Sequence, residues 1–220
     1  ASDVYKRQWK DGTTLKWWSK AVKPEAQSLG FLYRSYSNLT DISGLSDWGT
    51  SKVTYMGYMF SGCNSLTDLT PLSSWDTSNA TNMWVMFQDC SSLTNLTPLS
   101  SWDTSNVADM HYMFSGCNRL TDLTPLAGWN TSKVTDMGSM FKYCSSLADL
   151  TPLSDWNTSE VTSMNSMFDD CRSLTNSSAI NDWDILKVTN FTYMFVSCSS
   201  HPEFTKRSGT WNDGTFTPTS

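Results

Sequence analysis

The chain has 220 residues, 39% of them hydrophobic, and its formal net charge is −6 at pH 7. A chain of this length forms one or two domains. The acidic balance argues against nucleic acid or an anionic membrane as a partner, because both attract basic surfaces. No apolar run approaches the roughly 20 residues of a membrane-spanning helix, so we expect no membrane insertion by this segment.

The first residues are expected to be foreign to the protein. The string DVYKRQ at positions 3–8 resembles the in-frame translation of a transposase adaptor used in sequencing libraries, so residues 1–8 are left out of the fold prediction. Residues 9–38 are predicted to form an N-terminal cap or degenerate repeat. Leu32, Tyr33 and Tyr36 stand where Met, Phe and Cys stand one period later.

Residues 39–200 consist of six repeats of 27 residues. A tryptophan and a cysteine each recur at this interval without insertion or deletion. A fixed period of this length is the sequence signature of a solenoid, in which each unit buries its apolar side only against its neighbours. The two series are Trp48, Trp75, Trp102, Trp129, Trp156 and Trp183, and Cys63, Cys90, Cys117, Cys144, Cys171 and Cys198.

Each repeat predicts one short helix and one short parallel strand. In the repeat that begins at Trp75, the side-chain oxygens of residues 76–78 are typical of a helix N-cap. The apolar residues over 80–90 are spaced for one face of a helix of about two to three turns. Residues 93–99 are too few for a helix and therefore predict a strand. Because Pro98 lacks the N–H that a ladder needs, this strand should be short, about three to five residues, and end near the proline. The predicted fold is a right-handed α/β solenoid.

The stretch CNRLTDLTPLAGWNTSKVTDMGSMFKYC at 117–144 resembles the repeats of BspA-like leucine-rich-repeat surface proteins. Their pattern is Cys-x-x-Leu-x-x-Leu, an aromatic residue, then Asp-Thr-Ser-x-Val-Thr-x-Met-x-x-Met-Phe-x-x-Cys. The likeness covers residues 39–198. The Thr-Pro-Leu after the second leucine departs from it, since family repeats are often one residue shorter there. The resemblance implies a leucine-rich-repeat-like fold and a secreted or cell-surface adhesin.

The last repeat is degenerate, with Ser177, Ala179 and Ile180 in place of Leu, Pro and Leu. Repeat arrays need atypical end units, so residues 201–220 are predicted to form a C-terminal cap or linker. Asp213-Gly214 predicts a hairpin turn within that segment.

The six cysteines are predicted to be a buried ladder of free thiols beside the phenylalanines. Bridges between adjacent coils remain an open alternative. A line of thiols without a Cys-x-x-Cys pair does not provide a tetrahedral zinc site, and no metal or cofactor is expected. The two histidines, His111 and His201, belong to no catalytic motif, so we predict a protein that is not an enzyme.

Two sets of positions are candidates for binding. The first is expected on the outer face of the strand sheet and consists of Asp41, Asp68, Asn95, Asp122 and Asp149 with Thr70, Thr97, Thr124 and Thr151. Its alternative explanation is that these residues only keep an exposed sheet soluble. The second set varies between repeats and includes Trp84, His111 and Tyr143. Drift on an unconstrained face would produce the same variation.

An extended surface without a closed pocket favours binding over catalysis. We therefore expect a recognition or adhesion module whose partner is a protein or a glycan, and a passive stalk or spacer is the alternative. Ice binding is a third hypothesis, because two columns of hydroxyl residues run side by side. They are Thr50, Thr77, Thr104, Thr131 and Thr158, and Ser51, Ser78, Ser105, Ser132 and Ser159.

Overall fold

The structure is a computed structural model that describes residues 8–10, 15–17 and 27–219. Residues 1–7, on which most of the adaptor interpretation of residues 1–8 rests, and much of the predicted cap at 9–38 therefore lie outside the described residues. Two antiparallel hairpins are present, β1 (Gln8–Lys10) with β2 (Leu15–Trp17), and β3 (Gly209–Asn212) with β4 (Thr215–Pro218). Six three-residue 3-10 helices lie between them, at Ser43–Leu45, Thr70–Leu72, Thr97–Leu99, Thr124–Leu126, Thr151–Leu153 and Ser178–Ile180.

From residue 27 to the C-terminal hairpin the chain is a repeat solenoid with a 27-residue coil. Isolated parallel bridges join each coil to the next at one position per coil, through Ser28, Tyr55, Asn82, Asp109, Asp136, Ser163 and Asn190. The predicted period is thus confirmed. A partial coil at residues 27–38 joins the stack, because Ser28 bridges Tyr55 and the Tyr33 ring stacks on Phe60 at a centroid distance of 5.4 Å.

The predicted α-helices are wrong, because the described part of the chain contains none. A 3-10 helix, not a strand, occupies residues 97–99, and Pro98 sits in its first turn, where its fixed φ suits the helix and its missing donor is not needed. In the Leu-rich segments only Asp149 and Asn176 form a bridge. The N–H groups of Leu93, Leu99 and Trp102 bond to the carbonyl three residues earlier. Apolar residues at steps of three therefore line successive tight turns.

The segment predicted as a helix bonds instead to the neighbouring coils. The N–H groups of Met83, Val85, Phe87 and Asp89 each donate to a carbonyl oxygen 26 residues further along, at N···O distances of 2.7 to 3.0 Å. The intervening carbonyls accept from the preceding coil in the same way. Val85 and Asp89 have φ values of 58° and 59°, and these left-handed residues break a helix and turn alternate peptide groups along the stacking direction.

Like residues stack on like residues in the core, as predicted. The rings of Trp102 and Trp129 lie 6.5 Å apart between centroids and are inclined by 4°, and each residue is 4% exposed. The indole N–H groups of five ladder tryptophans each donate to a leucine carbonyl 30 residues earlier, in Trp75, Trp102, Trp129, Trp156 and Trp183. The leucine, methionine and phenylalanine ladders are buried beside them.

All six cysteines are free, and all but Cys198 are buried. Each thiol donates to a backbone carbonyl 30 residues earlier, at S···O distances of 3.0 to 3.3 Å. Burial raises the pKa of Cys63 and Cys198 to about 12 and raises the pKa of the other four thiols well above the usual value. The ladder is therefore a column of protonated thiols.

The C-terminal hairpin covers the last coil. The N–H of Phe195 donates to the Gly214 carbonyl, and the N–H of Tyr193 donates to Thr215 Oγ1, both at 2.8 Å. Phe216 packs edge-on against Phe191 at 5.2 Å between ring centroids. The turn falls at Asp213 and Gly214, and a side chain at Gly214 would collide with the backbone of Val196. The hairpin thus accepts hydrogen bonds from N–H groups that, in an internal coil, would donate to the next coil.

We predict that Trp129→Ala lowers the free energy of unfolding by about 3–5 kcal/mol, because it opens a cavity in the ladder. Trp129→Phe keeps a stacked ring but leaves the Leu99 carbonyl without its indole donor, and should cost about 1–3 kcal/mol. Chemical denaturation followed by circular dichroism measures both values. Equal stability of wild type and Trp129→Ala would contradict the ladder.

A second prediction concerns the thiols. Titration in denaturant without reductant should report six free thiols, and native protein should react slowly, starting at the partly exposed Cys198. The physical reason is that buried, protonated thiols are neither accessible nor nucleophilic. Cys198→Ser should remove the fastest-reacting group and leave the rest unchanged. Disulfide-linked peptides detected by mass spectrometry in freshly purified protein would show that the ladder is oxidised.

Candidate functional site

The Asp and Asn row, which we define as Asp41, Asp68, Asn95, Asp122 and Asp149, lies just before the 3-10 helices. One side-chain oxygen of each residue accepts the backbone N–H two residues later, at 2.8 to 2.9 Å. These acceptor and donor pairs are Asp41 and Ser43, Asp68 and Thr70, Asn95 and Thr97, Asp122 and Thr124, and Asp149 and Thr151. Such Asx turns order the backbone locally, so the row has a structural reason to recur.

These bonds lower the pKa of three carboxyl groups in the row. The hydroxyl and N–H of Thr70 lower the pKa of Asp68, and those of Thr124 lower the pKa of Asp122. For Asp149 the N–H of Thr151 is the largest cause. Its Oδ1 also accepts a hydrogen bond from the Asn176 amide at 2.8 Å, across the coil interface. The carboxylates remain exposed, but one oxygen of each is already engaged by the chain itself.

Asx turns also occur at two further positions of the coil. The residue after each of five tryptophans accepts an N–H two residues later, in Asp76, Asp103, Asn130, Asn157 and Asp184. A third set comprises Asn82, Asp109, Asp136 and Asn190. The Asp-Thr-Ser motif that suggested a helix cap is therefore a turn motif.

The ice-binding hypothesis is wrong, because its threonine column is inside the protein. Thr77, Thr104, Thr131 and Thr158 are each 1% exposed and Thr50 is 2% exposed. Each hydroxyl donates to a backbone carbonyl of the following coil at 2.9 to 3.0 Å. These threonines bond coils together and present no flat hydroxyl surface to solvent.

A group of aromatic side chains crosses the first four coils on one surface. We call this group the aromatic strip. The Phe31 and Tyr58 rings stack at a centroid distance of 4.8 Å, Tyr58 meets Trp84 edge-on at 4.9 Å, and Trp84 meets His111 edge-on at 4.6 Å. The full strip consists of Phe31, Tyr55, Tyr58, Trp84, His111 and Tyr112.

Polar contacts fix the geometry of the strip. The Trp84 indole N–H donates to the Tyr55 hydroxyl at 2.6 Å. His111 Nδ1 lies 2.6 Å from Asp109 Oδ1, which holds the imidazole beside Trp84. The Arg34 guanidinium lies over the Tyr58 ring, 4.8 Å from its centroid. The indole of Trp84 lies against Gly57, where any added side chain would overlap it.

The strip ends after the fourth coil. The positions equivalent to Trp84 and Tyr112 are filled in the next two coils by Gly138 and Ser139, and by Asn165 and Ser166. Phe31 is 49% exposed, whereas Ser139 is buried. The contiguous aromatic side chains therefore stop at the fourth coil, and the position of Phe31 is aromatic again only in the last coil, at Tyr193.

The structure separates the three aromatic residues that the sequence suggested as one alternative face. Trp84 and His111 belong to the strip, whereas Tyr143 lies in another column, with the Lys142 ammonium 4.8 Å from its ring centroid. Sequence reasoning missed Phe31, Tyr55, Tyr58 and Tyr112. The signal was present, because the column that includes Phe31, Tyr58 and Tyr112 is bulky in the first four coils and is serine in the next two.

Within the described ranges no group of three or more His, Cys, Asp or Glu side chains is placed to hold a metal ion. The same residues contain no helix long and apolar enough to cross a membrane. The Asp109 carboxylate lies beside His111, and the imidazole is packed against Trp84. These two contacts position the imidazole ring within the aromatic strip. The expectation that the chain is not an enzyme stays a prediction.

A family model described as "Mycoplasma protein of unknown function, DUF285" matches residues 28–124 and 120–218. The chain belongs to the DUF285 family. The two DUF285 matches together span every coil of the solenoid and its C-terminal hairpin. In this chain the family match therefore coincides with the 27-residue repeats. The family description assigns no activity. A comparison with curated proteins finds no match.

We predict that Asp122→Ala lowers the free energy of unfolding by about 0.5–1 kcal/mol, the lower part of the range for lost caps. Asp122→Asn should be nearly neutral at pH 7, because Asn95 makes the same turn one coil earlier. The folded-state pKa of Asp122 is lowered, so its stabilisation is present above the usual pKa of about 3.9 and is lost as pH falls through the folded-state value.

Denaturant titrations of wild type and the two variants over acidic to neutral pH measure this effect. The stability of wild type relative to Asp122→Asn should decline as the solution is acidified, because only wild type carries the titrating group. An Asp122→Ala protein as stable as wild type at neutral pH would show that the Asx turn contributes nothing.

Proposed function

We propose that the chain is a non-enzymatic recognition module that binds a protein partner through the aromatic strip. The observation that carries the proposal is the contiguous row of partly exposed rings across the first four coils, which small and polar residues replace in the next two. A solenoid that served only as a spacer has no need of such a cluster. Tryptophan, tyrosine and arginine side chains dominate the binding energy of protein contacts.

The strip is ordered before a partner arrives. Phe31, Tyr58 and Trp84 contact one another in sequence, and the indole is held by the Tyr55 hydroxyl. Side chains that are already fixed lose little rotamer freedom on binding, and that loss is one of the main costs of association. The coils beneath the strip are joined by backbone hydrogen bonds, so the rings keep their spacing.

Of the two partner classes that the sequence left open, a protein suits the strip better than a glycan. Several ring faces and edges of the strip are already in contact with other rings, which leaves an uneven apolar surface with polar atoms at its edges. Interface cores have this composition. Arg34, whose guanidinium covers the Tyr58 ring, adds one positive charge that would favour an acidic group on the partner.

The finer features of the family resemblance belong to the same proposal. We infer a right-handed coil, a likeness to the BspA-like leucine-rich-repeat surface proteins, and a secreted or cell-surface location, all of which suit an adhesion role. The Asp and Asn row with its threonines stays an alternative binding surface. A passive stalk or spacer is the alternative function.

The test uses a microarray of purified extracellular-matrix proteins and plasma glycoproteins, followed by biolayer interferometry on each hit. We expect at least one protein to bind, and Trp84→Gly with Tyr112→Ser to weaken that binding at least tenfold. Both replacements occur naturally at the equivalent positions in other coils, as Gly57 and Ser139, so the variant should fold. Circular dichroism confirms the fold before binding is measured.

The matched control is Tyr193→Ser, since Tyr193 is 54% exposed in the same column as Tyr112 but lies outside the strip. Its binding should equal that of wild type. Asp122→Asn with Asp149→Asn removes two charges and keeps the turns, and loss of binding in that pair alone would assign the site to the Asp and Asn row. If no protein on the array is bound, the spacer function is favoured.

A further inference from the structure

A polar groove of about 630 Å³ runs across the first five coils. One side of the groove takes one residue from each coil, in the order Ser35, Gly62, Asp89, Gly116 and Tyr143. All five have left-handed φ values, between 59° and 77°. Each of these backbone positions therefore makes a corner, and the side chain at that corner sets the local depth of the groove.

The second side of the groove lies two residues further along each coil, at Ser37, Asn64, Ser91 and Asn118. Asn64 and Asn118 are exposed, and neither side-chain amide is hydrogen-bonded within the described residues. The sequence Ser-Gly-Cys-Asn occurs in both coils, at 61–64 and 115–118. The groove thus has two equivalent units, two coils apart, each with a glycine on one side and a free amide on the other.

Asp89 lies between these two units. Its carboxylate has no hydrogen-bond or ion-pair partner in the described part of the chain, and partial burial raises its pKa above the usual value. A side chain in place of Gly116 would collide with Asp89 Oδ1. The glycine therefore leaves the carboxylate open to whatever occupies the groove.

Tyr143 closes one end of the groove. Its side chain is 50% exposed, and Lys142 holds it in place through an ammonium group 4.8 Å from the ring centroid. The same ammonium bonds to Asp169 at 2.8 Å, so its charge is already paired. No lysine or arginine lines the groove.

We propose that this groove binds a neutral oligosaccharide that lies along the stack of coils. Free amides and a carboxylate are the groups that recognise sugar hydroxyls, because each can donate or accept in pairs. A tyrosine offers an apolar ring on which the C–H face of a pyranose can stack. The proposal concerns a surface other than the aromatic strip and does not depend on it.

The geometry disfavours other ligand classes. A phosphorylated or sulfated ligand needs cationic partners, and the groove has none. A peptide groove needs apolar pockets for anchoring side chains, whereas this one is lined by serine, asparagine and glycine except at Asp89 and Tyr143. Hydrogen-bonded parallel segments are spaced by about 4.8 Å, which is close to the length of one sugar unit in an extended glycan. Successive sugars therefore meet successive coils.

The test is a glycan array that carries neutral hexasaccharides, namely cello-, chito-, manno- and xylohexaose, beside heparin fragments and sialylated glycans. We expect binding to at least one neutral hexasaccharide and none to the acidic glycans. Calorimetry then measures its affinity for four proteins: wild type, Tyr143→Gly, Asp89→Gly, and Asn64→Ser with Asn118→Ser. Every replacement is the natural residue of a neighbouring coil at that position, and each variant should bind at least tenfold more weakly.

Three controls make the result specific. Tyr143→Phe keeps the ring and should retain most of the affinity. Arg172→Ser changes the position equivalent to Asn118 two coils further on, outside the groove, and should have no effect. Trp84→Gly with Tyr112→Ser should leave glycan binding unchanged, which separates this site from the aromatic strip. Absence of binding to every neutral hexasaccharide, binding confined to acidic glycans, or equal affinity of the groove variants and wild type would each overturn the proposal.

Discussion

The alignment of peptide groups along the stack is the constraint on which the rest of the structure depends. In each internal coil, four N–H groups point to the next coil and the carbonyls of the same peptide units point to the previous one. A parallel ladder of this kind fixes the register, because a shift by one residue would break every bond and displace every buried side chain. The unvarying 27-residue period and the like-on-like stacking of Trp, Phe and Cys follow from that register. The C-terminal hairpin follows from the same register, because it accepts the hydrogen bonds of the Tyr193 and Phe195 N–H groups at the end of the stack.

The alignment requires two left-handed residues in every coil, and few of them are glycine. A non-glycine residue in this region is strained by about 1–3 kcal/mol, and Val85, which is β-branched, is the least suited of them. The inter-coil hydrogen bonds offset that strain. The two left-handed columns also supply both candidate surfaces, because Phe31, Tyr58 and Tyr112 belong to one, and Asp89 and Tyr143 belong to the other. The backbone feature that joins the coils therefore also places side chains at exposed corners.

The sequence predicted the period, the buried ladders and the free thiols, because those depend only on which residues recur. It misplaced the secondary structure for a specific reason. Steps of three between apolar residues, as from Ala80 to Met83 to Met86, suit a coil whose peptide groups bond to neighbouring coils as well as one face of a helix. The left-handed residues that decide between the two, such as Val85 and Tyr112, carry no signal in their identity, since neither is glycine or asparagine. The Asp and Asn row was visible as a pattern, but its hydrogen bonds to the backbone N–H two residues later were not.

Repetition separates the residues that hold the fold from those free to acquire a function. Asp and Asn recur at three places in the coil because each closes a turn, so their regularity by itself is no sign of a ligand. The left-handed corner of the groove, by contrast, carries glycine, aspartate, tyrosine or serine without disturbing the coil. Because each coil contributes one side chain to such a column, a change there alters one point of the surface and leaves the ladder intact. The departures from the repeat, rather than the repeat itself, are therefore the positions at which a solenoid of this kind can acquire binding specificity.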